Sequence, residues 1–322
     1  MLRTNKVSSN PLYYPSVVRV ALAPLPARPW ASEAVVAAGA QLVDDPADAD
    51  ALIFLAPDDT DGLTRALKES PNAQWVQLPW AGIESFVAAG VLDPARTWTC
   101  GKGVYAEPVA EHALALALAG LRDLPDRVRA TSWGKQGGVS LYDGKATILG
   151  GGGITECLID LLTPMRTEIT VVRRDTAAAL PGAARVVGPD SLHDALRDAD
   201  AVFLALALTP ETRGVIDAEA LRCMQPHAWL VNVARGAHVV TDDLVTALRE
   251  HRIGGAALDV TDPEPLPDGH PLWDLPNCII TPHTANSLEM GLPLLAKRVT
   301  DNLRRYAAGE PLVGLVDVEA GY

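Results

Sequence analysis

Three short segments carry the residue types for acid–base chemistry beside an anion. Residues 231–236 (VNVARG) offer a guanidinium at Arg235, residues 257–265 (ALDVTDPEP) offer carboxylates, and residues 281–285 (TPHTA) offer an imidazole at His283. Each follows an apolar run that reads as a strand, and an open parallel sheet binds its ligands at the carboxyl ends of its strands. One guanidinium, one carboxylate and one imidazole suit the reduction of a 2-keto acid, whose carboxylate needs a cation and whose carbonyl oxygen needs a proton. A permanently charged arginine stabilises negative charge developing on oxygen. A carboxylate beside a histidine favours its protonated form.

A glycine-rich turn is the second constellation. Residues 146–150 (ATILG) read as a strand, Gly150-Gly151-Gly152-Gly153-Ile154-Thr155 follows, and a helical pattern opens at once. Gly150 permits the tight turn, and Gly152 lets the backbone approach a pyrophosphate resting on the helix N-terminus. Thr155 stands where a third glycine would serve close helix–strand packing, and it is expected to push the helix out slightly without abolishing binding. The next strand ends Val172-Arg173-Arg174-Asp175-Thr176. An acid about 20 residues on would hold a ribose 2′-hydroxyl. In one register Arg174 takes that place with Arg173 and Thr176 beside it, a fork of donors suited to a 2′-phosphate, which predicts NADP(H) preference. A register shifted by one residue puts Asp175 there and restores NAD(H).

The elements that must position these groups alternate. Strands are predicted over 17–24, 51–57, 75–79 and 97–101, with helices over 32–39, 62–69, 83–89 and 108–121. A second series has strands over 146–150, 169–174, 201–208, 228–235, 254–260 and 278–283. Its helices fall near 155–162, 191–198, 218–223 and 241–250, and a long last one over 288–308 is weakened by Gly291 and Pro293. Unbroken apolar runs such as 201–208 (AVFLALAL) imply strands covered on both faces, hence parallel sheets in an α/β fold.

Composition narrows the partners. The chain has 322 residues and a net charge of −13, from 27 Lys+Arg against 40 Asp+Glu, which opposes nucleic acid or an anionic membrane as partner. At 48% hydrophobic residues it is an ordinary globular composition with room for about two cores. The first 15 residues show no apolar h-region, and the apolar stretch 113–121 is about half of the roughly 20 residues a spanning helix needs. Cys100, Cys157, Cys223 and Cys278 form no short-spaced pair, so no metal site or disulfide frame is predicted, and a reducing cytoplasm is the expected setting.

In this order and at these separations, the motifs resemble those of the D-isomer-specific 2-hydroxyacid dehydrogenases, the family of glyoxylate/hydroxypyruvate reductases, D-lactate dehydrogenases and phosphoglycerate dehydrogenases. The resemblance runs over nearly the whole chain. It includes residues 75–82 (WVQLPWAG), 103–112 (GVYAEPVAEH), the glycine turn, 208–214 (LTPETRG), the three segments above and the closing Gly321-Tyr322. It implies two Rossmann-like or flavodoxin-like domains with parallel sheets. A discontinuous substrate domain of residues 1–103 plus 288–322 would flank a dinucleotide-binding domain of residues 104–287, with hinges near Gly103 and Asn286.

The resemblance also implies roles. Arg235 would bind the substrate carboxylate and polarise the 2-keto oxygen, His283 would give that oxygen its proton, and Glu264 would hydrogen-bond His283 and fix its tautomer. The cofactor contacts implied are Gly150, Gly151, Gly152, Gly153, Ile154, Arg173, Arg174, Thr209, Pro210, Val233, Ala234, Asp259 and His283, with Asp259 near the nicotinamide carboxamide. The substrate contacts implied are Trp80, Ala81, Gly82, Val104 and Arg235; Tyr105 is a further residue expected near the nicotinamide. Trp80 is either a limit on substrate side-chain size or a core aromatic. Trp133 resembles a tryptophan projected towards a partner subunit, and the family is generally homodimeric.

The other histidines (His112, His193, His227, His238, His251 and His270) lack partner segments and are read as structural or solvated, with His112 a candidate helper. The expected activity is reduction of a small 2-keto acid of the glyoxylate or hydroxypyruvate type to the D-2-hydroxy acid. A phosphoglycerate dehydrogenase is disfavoured by the short stretch after His283. A non-catalytic dinucleotide sensor is the alternative from another class, opposed by the joint presence of Arg235, Glu264 and His283.

Overall fold

The computed structural model describes residues 17–319 and 321, so the leader reading of the first 15 residues and Tyr322 of the closing motif lie outside it. In chain order the first elements are β1 (Arg19–Ala23), α1 (Pro29–Ala37), β2 (Gln41–Leu42), β3 (Ala51–Phe54), α2 (Thr60–Glu69), β4 (Trp75–Gln77), α3 (Glu84–Ala88) and β5 (Thr97–Thr99). Then come α4 (Ala106–Leu121), α5 (Leu124–Arg129), β6 (Lys145–Leu149), α6 (Gly153–Leu162), β7 (Glu168–Val172), β8 (Arg185–Val187) and α7 (Leu192–Leu196). The series closes with β9 (Ala201–Leu204), α8 (Ala218–Cys223), β10 (Trp229–Asn232), α9 (Thr241–Arg249), β11 (Gly255–Leu258), β12 (Cys278–Ile280) and α10 (Leu288–Ala308). Two compact units result, one from the residues up to Val104 together with those from Gly291 on, the other Tyr105–Met290.

In the first unit five parallel strands lie in the order β2-β1-β3-β4-β5. Successive residues of β3 feed opposite cores. Leu52 and Phe54 pack with Leu63 of α2 and Phe86 of α3, while Ala51 and Ile53 pack with Val35 of α1 and Leu295 and Val299 of α10. That two-sided burial is why the run ALIF carries no polar alternation. A buried polar network also joins α10 to this sheet. The Trp75 indole donates to Thr99 Oγ1 (2.8 Å), Thr99 Oγ1 to Gln77 Oε1 (2.8 Å), and Asn302 Nδ2 to Gln77 Oε1 (3.1 Å). Asn302 also exchanges hydrogen bonds with the Val313 backbone in both directions, each at 2.9 Å.

In the second unit seven parallel strands lie in the order β12-β11-β10-β9-β6-β7-β8, with helices on both faces. The first strand, β6, is interior, with β7 on one side and β9 on the other, so the crossovers reverse direction between β6 and β9. Such a switch point opens a crevice at the strands' carboxyl ends. Val202 and Leu204 of β9 face one core, and Ala201 and Phe203 the other.

The strands are shorter than their apolar runs. The run 201–208 leaves the sheet after Leu204, and β7 ends at Val172, which puts Arg173 and Arg174 beyond the ladder. The two-residue β2, the edge strand β8 and the short α5 have no predicted counterpart.

Candidate active site

β10, β11 and β12 are neighbours in the sheet, and their ends are in register, with Asn232 opposite Leu258 and Leu258 opposite Ile280. Arg235 stands three residues past Asn232, and His283 three past Ile280. The sheet therefore delivers the guanidinium and the imidazole at matching offsets, with the Glu264 loop leaving the strand between them.

His283 adopts a left-handed backbone (φ 50°), and its N–H donates to Asp259 O (2.8 Å) and Thr281 O (3.0 Å). Its Nδ1 lies 2.6 Å from Glu264 Oε1. An ionised carboxylate only accepts, so Nδ1 carries a proton towards Glu264 and Nε2 is left to face a reactant. Both side chains are partly exposed. Two hydroxyls brace the loop that brings Glu264 in, with Thr261 Oγ1 donating to Pro263 O (2.8 Å) and Thr241 Oγ1 to Asp262 O (2.7 Å).

Behind this pair the buried Asp259 organises the turn that carries His283. Its Oδ1 accepts from Thr281 Oγ1 (2.6 Å) and Thr284 N (2.9 Å), and its Oδ2 from Ala285 N (3.0 Å). His112 of α4 completes the cluster, its Nε2 lying 3.1 Å from Thr281 Oγ1 and 3.4 Å from Asp259 Oδ1. The Thr281 hydroxyl hydrogen goes to Asp259, so His112 Nε2 is a donor here, shared between Thr281 Oγ1 and Asp259 Oδ1. Burial pushes the Asp259 carboxyl up, but the His112, Thr281, Thr284 and Ala285 donors outweigh it and hold it down at about 2. Thr281 was legible only as part of a motif, and the pairing of His112 was not legible at all.

The Arg235 turn is held by Asn232, which donates to Arg235 O (2.9 Å) and accepts from Ala234 N (3.0 Å). Arg235 Nη1 donates to Ala234 O at 2.7 Å. Val233 and Ala234 are buried beneath it. Gly236 is required here, because a Cβ would lie 2.0 Å from the Thr261 carbonyl, so the loops after β10 and β11 are pressed backbone to backbone.

Gly150 follows β6 at φ 115°, with its N–H on Val172 O (2.9 Å), and a Cβ there would lie 2.2 Å from Ala205 O. Only glycine fits. Gly152, by contrast, has open space where a Cβ would be and precedes α6, whose first turn receives no side-chain cap. Gly151 lies under the Arg173 side chain, and Gly153 and Ile154 begin the helix. A glycine backbone open to approach, uncapped helical N–H groups and guanidiniums at the end of β7 fit the diphosphate and ribose of a dinucleotide. Thr155 is fully buried (0% exposed) in that first turn, and its hydroxyl finds no partner among the described residues.

Arg173 donates through Nη2 to Ala178 O, whereas Arg174 is exposed. Asp175 accepts from Ala177 N (3.0 Å) and so closes its own turn. In the loop after β9, Thr209 N donates to Thr212 Oγ1 (2.8 Å), and Pro210 is exposed. Hydrogen bonding from Thr209 and its own backbone, with Arg174 nearby, holds the Glu211 carboxyl below its ordinary range.

The remaining substrate candidates lie in the first unit. Trp80, Ala81 and Gly82 form the turn after β4, with Gly101 N donating to Trp80 O (2.9 Å), and Val104 N donates to Gly101 O (2.9 Å). Ala81 is exposed, Trp80 half-buried, and Val104 packs against the α10 side of the core. Trp133 is 96% exposed.

Comparison with known proteins agrees with this geometry. Residues 112–285 match the family model described as "D-isomer specific 2-hydroxyacid dehydrogenase, NAD binding domain". A glyoxylate reductase from Aeropyrum pernix is 31% identical over 286 residues, 84% of each chain. A glyoxylate/hydroxypyruvate reductase A from Photorhabdus laumondii is 39% identical over 136 residues, 42% of each chain. The structure of a D-isomer specific 2-hydroxyacid dehydrogenase from Xanthobacter autotrophicus Py2, in complex with NADPH and MES, superimposes with a TM-score of 0.82 at 28% identity, covering 96% of this chain and all of that one. Strand order, glycine turn, the His283–Glu264 pair and these likenesses converge, and the chain belongs to the D-isomer specific 2-hydroxyacid dehydrogenases.

Proposed function

We propose that this NAD(P)-dependent 2-hydroxyacid dehydrogenase reduces a small 2-keto acid of the glyoxylate or hydroxypyruvate type to the D-2-hydroxy acid, with NADPH preferred. The observation that carries the reading is the 2.6 Å contact of His283 with Glu264, at the same end of three adjacent strands as Arg235. Arg235 pairs with the substrate carboxylate and draws electron density onto the 2-oxygen. A reduced nicotinamide dinucleotide held at the glycine turn would supply the hydride that C2 takes up. As the carbonyl π bond breaks, His283 transfers its Nε2 proton to that oxygen, and the Nδ1–H held by Glu264 stays in place. Glu264 thereby stabilises the ring in the form that gives up a proton on one side only.

Several features support the finer assignments. Two guanidiniums, Arg173 and Arg174, stand just past the end of β7, a donor set that suits a 2′-phosphate better than a free 2′-hydroxyl. Residues 104–287 serve as the dinucleotide-binding part, and residues 1–103 with 288–322 as the part that takes the keto acid through Trp80, Ala81, Gly82 and Val104. The likeness to named glyoxylate reductases favours a small substrate. We read the protein as a cytoplasmic homodimer with Trp133 facing the second copy, a state that sedimentation velocity measures. Among the described residues no helix is long and apolar enough to cross a membrane.

The test is a turnover panel of glyoxylate, hydroxypyruvate, pyruvate, phenylpyruvate and 2-ketoisocaproate with NADPH and with NADH. Highest kcat/KM is expected for one of the first two with NADPH. His283→Ala is expected to lose about 10²–10⁴-fold in kcat, with Arg235→Ala and Glu264→Gln also impaired. Near-normal turnover in all three variants overturns the mechanism, and a higher kcat/KM with NADH overturns the cofactor preference.

A further inference from the structure

The mechanism above makes no use of His238, which closes the short turn Gly236–His238 directly after Arg235 and is 0% exposed. Its Nδ1 lies 3.1 Å from Thr212 O and its Nε2 3.2 Å from Leu206 O. Carbonyl oxygens only accept, so both faces of this ring are turned to groups that want its proton, and a neutral ring satisfies them one at a time. An imidazole is seldom buried so completely unless such partners hold it.

Leu206 and Thr212 bracket the loop after β9, which is otherwise folded on itself. Thr212 Oγ1 accepts from Thr209 N and donates to Ala207 O, each at 2.8 Å, and Arg213 N donates to Thr209 O at 3.0 Å. The residue before Leu206 is Ala205, whose carbonyl forms the wall that excludes any side chain at Gly150. The backbone of His238 runs the other way, its N–H donating to Arg235 O (3.2 Å) and its carbonyl accepting from Ile216 N (3.0 Å). One side chain thus sits between the two ends of the loop that flanks the glycine turn, its N–H bonding one carbonyl at a time, and its own main chain is tied to the Arg235 turn.

We propose that His238 is a positioning residue of the dinucleotide site, holding the 206–212 loop against the glycine turn so that the pyrophosphate cradle is formed before the cofactor arrives. The proposal rests on the function given above and deepens it. Losing the imidazole removes the donor that the two loop ends share, and binding must then re-order the loop. If the competent arrangement falls to about a tenth of the population, apparent affinity falls about tenfold.

The experiment titrates full-length protein with NADPH, following tryptophan fluorescence, for wild type, His238→Leu, His238→Gln and Asn302→Ala, with Tm measured in parallel. Asn302 lies in the buried network of the first unit, so its variant reports lost stability without a change at the loop. The expected result is a Kd raised about tenfold in His238→Leu, largely recovered in His238→Gln, which keeps a donor, and within twofold of wild type in Asn302→Ala despite a lowered Tm. Should His238→Leu fail to fold, His238→Asn, with a shorter reach, is expected to show the same loss. Unchanged NADPH affinity in folded His238→Leu or His238→Asn overturns the proposal. Equal losses in Asn302→Ala also overturn it, by reducing His238 to general stability. A wild type that binds neither NADPH nor NADH overturns the function itself, a different outcome.

Discussion

Asp259 keeps its charge in a place where burial opposes it. Four donors on one carboxylate reverse the sign of the desolvation effect and leave the group at about 2, below the ordinary 3.8. A carboxyl depressed on folding stabilises the protein above its unfolded value, and that contribution is lost as pH falls through the folded one. Roughly 2 kcal/mol is therefore expected to disappear between about pH 4 and pH 2. Asp259→Asn is expected to be less stable at neutral pH and to lack this dependence, which urea unfolding at stepped pH measures. The places of Arg235 and His283 just past neighbouring strands, and the contact of His283 with Glu264, were legible because these residues lie in motifs that follow apolar runs. The partners of His112, itself a candidate helper in the sequence, and of His238 were not, for a physical reason. His112 meets a hydroxyl 169 positions away, and His238 meets two backbone carbonyls, which every residue possesses and no sequence distinguishes.

At the scale of elements, the glycine turn is the most constrained piece. Gly150→Ala must place a methyl group 2.2 Å from a backbone oxygen at a φ of 115°. A cost of at least about 2–3 kcal/mol is expected, read as a lower Tm together with weaker NADPH binding. Thr155 in the same turn has the opposite character, since removing an unpartnered buried hydroxyl is close to neutral. The core strands were readable because burial on both faces writes an unbroken apolar run. Their ends were not. Ala205 N still donates to Leu149 O (2.8 Å), but residues 206–208 stay apolar beyond it, and hydrophobicity is blind to whether an amide is paired. β8, with a charged residue and two half-buried valines at an edge, carries no run long enough to register.

Over the whole molecule, the division into two α/β units follows from the two series of alternating elements, and the strand orders differ as their crossovers dictate. The return of the chain to the first sheet was legible as a long helix, but not the polar network that fixes it. Asn302→Ala strands the Val313 N–H and removes a donor from Gln77, and a loss of about 2–3 kcal/mol is expected as a lowered unfolding midpoint. The net charge of −13 bears on solubility and partners rather than on this architecture.

The equal three-residue overhang of Arg235 and His283 beyond their paired strand ends has a consequence for how such a chain can change. Inserting or deleting one residue inside β10 or β12 would slide its overhang by about 3.3 Å and turn the side chain to the opposite face of the sheet. Length variation is accordingly tolerable where the chain crosses back beneath the sheet, at the amino ends of the strands. Within the last few residues of these strands, a lineage can substitute but not re-space.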